Sequence, residues 1–182
     1  MNAQSNQIQP TQPAQSAQTM STSLRTRLED LYRSEELLID ALTRMSAAAS
    51  SPNLIKLFND HQEETRLQFR RLADSLSKLD SNALAESAEV TASIAPLIQD
   101  AALVAAYPEM PDALDEALIA SAQEVEEQEI AAYTQARQLA VEENWPELAH
   151  LLEQSLQEER AALAKLSRSS ARPVSQPASE VF

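Results

Sequence analysis

The sequence predicts an all-α fold, a bundle of four long amphipathic helices. Three observations carry that expectation. Apolar residues recur at helical spacing through almost the whole interior of the chain. The breaks in that period fall at the proline-bearing stretches "SSPN", "YPEMPD" and "ENWPE". Finally, two of the connections between periodic segments are short and one is long.

The first helix is expected from about Ser23 to Ala48, with Leu24, Leu28, Leu31, Leu38 and Leu42 on one side. "SSPN" ends it, and Pro52 suits the first turn of a second helix. That helix, about 53–79, carries Leu54, Leu57, Phe58, Phe69, Leu72 and Leu76. A weaker Ala-rich segment, about 83–105, contains Pro96 and is expected to form one or two short helices. A third helix runs from about Pro111 to Glu143. After it, Asn144 is read as a cap, and Pro146 opens a fourth helix over about 146–168, with Leu148, Leu152, Leu156, Leu163 and Leu166. One long crossover between two helical hairpins is the connectivity of a ferritin-like four-helix bundle. The bundle is expected to occupy residues 22–168. The Gln-, Pro- and Ser-rich ends, 1–21 and 169–182, read as disordered tails.

Composition narrows the chemistry. With no cysteine among 182 residues, disulfides, thiol nucleophiles and thiolate metal sites are excluded. With no glycine, glycine-rich phosphate loops and dinucleotide fingerprints are excluded too. Twenty-eight acidic residues against 14 basic ones give a formal net charge of -14. That field repels phosphate backbones and anionic lipid, so neither nucleic acid nor membrane is expected as a partner. No basic segment followed by an apolar run opens the chain, and a cytoplasmic location is the expectation.

Each helix nevertheless interrupts its own buried stripe near mid-length. Steps of about 100° per residue place Glu35 close to the centre of the first leucine stripe, with Glu36 pointing away. His61 lies near the centre of the second stripe and Glu64 nearer its edge. "QEVEEQEIAAY" puts Glu129 near the centre of the third and Glu126 slightly off it. On the fourth, Glu159 is nearly central and Glu158 marginal. Taken singly, such a glutamate reads as an edge position with its head in water, and His61 as a hydrogen-bonded core histidine. Taken together they are harder to dismiss, because unpaired buried carboxylates cost several kcal/mol each and no Lys or Arg occupies these positions. Two divalent cations would nearly balance five carboxylates. Oxygen donors with one imidazole suit iron or manganese. The expected ligands are therefore Glu35, His61, Glu64, Glu126, Glu129 and Glu159, holding two Fe or Mn ions. His61/Glu64 and Glu126/Glu129 form the pairs at i, i+3 that ferritin-like carboxylate sites use. Tyr32 and Tyr133 read either as hydrogen-bond partners of these carboxylates or as core aromatics.

In "LEDLYRSEELLIDALTRM", "LIKLFNDHQEETRLQFRRL", "ALIASAQEVEEQEIAAYTQARQLA" and "LLEQSLQEERAALAKL", the chain resembles the YciE/YciF family of bacterial ferritin-like proteins. The resemblance spans most of 28–166. It implies a ferritin-like bundle, a homodimer, a dinuclear metal centre and a connection with stress responses. Its acidic and histidine elements fall on Glu35, His61, Glu64, Glu126, Glu129 and Glu158 or Glu159. The chain departs from the pattern: the second helix reads His-x-x-Glu, the reverse of the usual ferritin order, Glu127 stands where relatives tend to have His, and Leu163 where they tend to have an acid. The fourth helix also lacks a histidine, Ala162 standing three residues after Glu159. The leading expectation is a di-iron or di-manganese protein acting on peroxide or dioxygen. The alternative is a non-catalytic dimeric scaffold with a degenerate site; an iron-storage cage ranks behind both.

Overall fold

A computed structural model describes residues 20–79 and 111–170, which contain four α-helices and no strand. They are α1 (Thr22–Ala48), α2 (Pro52–Leu79), α3 (Pro111–Glu142) and α4 (Pro146–Ser170). The expected short helices of the crossover and most of both expected tails lie outside the described residues.

Hydrogen bonds between helices fix the topology. Asp115, near the start of α3, accepts from the backbone N–H groups of Ser50 and Ser51, beyond the end of α1, at 2.7 and 2.8 Å. At the opposite end Ser21 caps α1, its hydroxyl accepting from the Leu24 N–H at 3.1 Å. Ser21 also donates its own N–H to Glu143 Oε2, just past α3, at 3.0 Å. Helices α1 and α3 are thus antiparallel. Ion pairs Arg71–Glu158 and Lys165–Glu64 set α2 antiparallel to α4 in the same way. Each helix packs on its hairpin partner, α1 on α2 and α3 on α4, with α1 against α3 and α2 against α4 completing the ring. It follows that α2 ends and α3 begins at opposite ends of the bundle, as a ferritin-like crossover requires.

Both hairpin turns are built without glycine. Ser51 precedes Pro52 and accepts from the Ile55 N–H at 2.9 Å, which starts α2. Asn144 takes φ 60°. Its N–H reaches Val141 O at 3.1 Å and the Trp145 N–H reaches Ala140 O at 2.7 Å, the paired bonds of a Schellman motif. Asn144 is thus a cap, in the left-handed position that terminates α3. In a chain without glycine, asparagine is the residue best suited to that left-handed position. Among the described residues, no helix is long and apolar enough to cross a membrane.

The core is divided. One apolar cluster joins Leu38, Leu42 and Met45 to Leu54, Phe58, Leu118 and Leu166. A second joins Leu24, Leu28 and Leu31 to Leu72, Leu76, Tyr133, Leu152 and Leu156. Each fully buried leucine contributes about 1.5–3 kcal/mol, so either cluster alone is a substantial anchor. Between them lies a buried polar layer that includes Glu35, His61, Gln68, Glu126, Glu129 and Glu159.

Candidate metal centre

All four helices contribute to the polar layer because each carries its interruption at the same height. Glu35, Glu126, Glu129, Glu159 and His61 are at most 3% exposed. Their near neighbours face differently: Glu36 and Glu127 are exposed. Glu158 is half-buried and gripped by Arg71 Nη2 through both oxygens, at 2.8 and 2.7 Å. Glu159 is therefore the α4 carboxylate that enters the layer.

One donor atom each from His61, Glu126 and Glu159 lies within 4.8 Å of the others, from three different helices. His61 Nε2 stands 2.7 Å from Glu126 Oε1, yet neither ring nitrogen has a partner in hydrogen-bonding geometry. One oxygen on each of Glu35, Glu126, Glu129 and Glu159 is likewise buried and unpartnered. Two donors on one ion, with bonds of about 2.0–2.2 Å at right angles, stand about 3 Å apart. The His61–Glu126 contact matches that spacing and is equally the length of an ion pair between a protonated imidazole and a carboxylate; the unpartnered carboxylate oxygens are the groups a cation would satisfy.

Glu35 and Glu129 are buried beside this trio. The Tyr133 phenol donates to Glu35 Oε1, and Ser34 Oγ donates to Glu129 Oε1 at 3.1 Å. Glu64 stands at the margin. It is about one-third exposed and accepts from Lys165 Nζ at 3.1 Å, while its other oxygen lies 3.7 Å from His61 Nδ1. Tyr32 does not join the layer's hydrogen bonds; it stacks on Phe69 with ring centroids 4.5 Å apart.

Gln68 is a member that sequence reasoning missed. It is 0% exposed, and its Nε2 donates to Glu159 Oε1 and, at 3.2 Å, to Glu158 Oε2. It falls seven residues after His61, two turns along the same face. That spacing was the available signal, although a glutamine on a helix is ordinarily a solvated amide.

Electrostatics follow from burial. Desolvation pushes the Glu35 carboxyl up to about 8, against the opposing pull of the Tyr133 hydrogen bond and of His61. Burial, then the charge of Glu35, raises Glu129 well above the carboxylate range. Burial, then the charge of Glu129, does the same to Glu159. Burial works to lower His61, but the Glu126 carboxylate outweighs it and the imidazole rises to about 10. Glu64, held by His61 and Lys165, is lowered to about 2. Protons on Glu35, Glu129 and Glu159 are thus a second way to neutralise the layer, beside the cations that the charge count called for. An ion entering would displace them.

The chain matches known proteins over this same region. A family profile described as "Domain of unknown function (DUF892)" matches residues 19–179. Protein YciF of Escherichia coli (strain K12) is 36% identical over 139 residues, 76% of this chain and 82% of that protein. The crystal structure of the E. coli stress protein YciF gives a TM-score of 0.74 at 34% identity, covering 81% of this chain and 92% of that one. YcfI from Rhodopseudomonas palustris gives 0.72 at 30% identity, covering 85% and 96%. None of these names states a metal or a reaction.

Proposed function

Because the chain belongs to the DUF892 family, with a stress protein among its relatives, we propose that it is a ferritin-like dinuclear iron or manganese protein that handles dioxygen or peroxide in stress protection. The observation that carries this reading is the convergence of His61, Glu126 and Glu159 from three helices, each with a buried atom lacking a hydrogen-bond partner. These three would hold one ion. Glu35 and Glu129 would hold the second. Glu64 would join them only by exchanging Lys165 for the metal.

When bound, a redox-active pair of ions would supply electrons to the oxidant. The protein's own contribution is to arrange and exclude. Tyr133 fixes the orientation of Glu35, and Ser34 that of Glu129. The apolar clusters above and below keep water from the layer. Glu35, Glu129 and Glu159 hold protons until an ion replaces them. A cavity of about 10 Å³ lies between α1 and α3. Leu38, Ala41, Leu42 and Val125 wall it and Glu126 borders it, and it is no larger than a single water requires.

Anaerobic titration with Fe(II) should show about two equivalents bound, oxidised when air is admitted. The double variant Glu35→Ala, Glu129→Ala should lose at least one of them. Unchanged stoichiometry in that variant refutes the assignment. The scaffold reading draws support from Lys165 on Glu64 and from Ala162 in place of a second histidine. Protein that takes up neither Fe(II) nor Mn(II), and is not stabilised by them, would favour it. A homodimer accords with the YciE/YciF resemblance, and analytical ultracentrifugation reads it directly.

A further inference from the structure

Between α2 and α4 a line of polar side chains runs inward from the surface to the metal centre. Arg71 Nη1 donates to Ser155 Oγ at 2.7 Å, and Arg71 Nη2 grips Glu158. Glu158 Oε2 accepts from Gln68 Nε2 at 3.2 Å, and the same amide donates to Glu159 Oε1. Gln68 is wholly buried, and its Oε1 has no partner. Packing does not account for it, since leucine or methionine would fill that space without an orphaned carbonyl.

From this juxtaposition we propose that Gln68 is a positioning residue for the metal site, orienting Glu159 so that one of its oxygens is tied off and the other turns to the ion. The inference rests on the metal reading above and deepens it. An amide is suited to the task because it donates a hydrogen bond without carrying charge. Lysine or arginine there would neutralise Glu159 and compete with a cation, as Lys165 does at Glu64. The need for such a device is local. Three residues beyond Glu159 stands Ala162, buried and without a donor atom, so α4 brings a single carboxylate to the layer. The free end of that carboxylate, Oε2, is buried and unpartnered, whereas Oε1 is the oxygen Gln68 holds. Glu158, anchored by Arg71, fixes the amide from its outer side.

Mn(II) affinity is measured on the full chain by titration, and Co(II) substitution supplies a visible spectrum that reports ligand geometry. Gln68→Leu should weaken Mn(II) binding by about 10–100-fold, the range for loss of a hydrogen bond to a ligand, and should alter the Co(II) bands. Its urea midpoint in chelator should fall, because Glu159 Oε1 loses its buried donor, so affinities are compared on protein shown to be folded. Gln68→Met, unbranched and equally apolar, serves the same purpose should the leucine variant not fold. Wild-type affinity and an unchanged Co(II) spectrum in either folded variant overturn the role of Gln68 while leaving the metal reading intact. A wild type that binds no metal overturns both.

Discussion

Raising the pH should loosen the metal-free protein. Glu35 ionises near 4.5 when unfolded, and burial lifts it to about 8 in the folded state. Between those values the native protein holds a proton that the unfolded chain has released. Stability from this group is therefore complete below about 4.5 and is lost as the pH climbs through 8. At about 1.36 kcal/mol per pH unit, that interval corresponds to an upper bound of about 5 kcal/mol. Glu129 and Glu159 shift in the same direction. His61, raised from 6.5 to about 10, extends the loss to higher pH. Glu64 has the opposite sign, but its window lies between about 2 and 4.5.

Even if solvent entry halves the Glu35 effect, about 2 kcal/mol remains. With a urea slope of about 1–3 kcal/mol per molar, the midpoint should fall by roughly 1–2 M. The assay is urea denaturation followed by far-UV circular dichroism, in chelator, from pH 5 to 9. Self-repulsion at a net charge of -14 acts in the same sense, so Glu35→Gln is the necessary comparison: it should make the profile shallower, leaving the part due to Glu129, Glu159 and His61. A midpoint that stays level or rises between pH 5 and 8 would refute the claim that these carboxyls are buried and protonated.

Mn(II) should bind more weakly as the pH falls, about tenfold per pH unit for each proton it displaces, as calorimetric titration at several pH values can check. Tyr133→Phe removes the donor to Glu35 Oε1 and should destabilise the chelated protein by about 1–3 kcal/mol in urea. Asn144→Val forces a branched side chain into a left-handed backbone position and should lower stability by about 1–2 kcal/mol. Thermal melts should show Asn144→Gly unharmed.

The helices were legible because their signals are local. Leucine spacing and the prolines at 52 and 146 placed all four within a residue or two of their observed ends. Depth was legible for a related reason: 100° steps separate Glu35 from Glu36 on a single helix. What was not legible depends on the neighbour across the interface. Glu158 and Glu159 were left as alternatives because the choice is made by Arg71, on another helix. Tyr133 reads from sequence as a partner of one of the carboxylates or as a core aromatic, and which carboxylate is settled by packing, its hydroxyl crossing to Glu35 on α1. Gln68 looked like any surface amide until α4 packed over it. Asn144 reads as a cap from sequence, but a residue in a tight turn can serve the helix before it or the one after, and its φ assigns it to α3.

The clamps at the two ends, Ser21 to Glu143 and Asp115 to Ser50 and Ser51, have a bearing on how this architecture can change over time. Each ties its end of the bundle without help from the acidic waist. Replacing the waist by hydrocarbon should give a sturdier rod, since well-packed apolar side chains are often at least as stable as buried ionic groups. The acids in the middle thus weaken a scaffold that could stand without them, and chemistry can be gained or lost there while the framework persists.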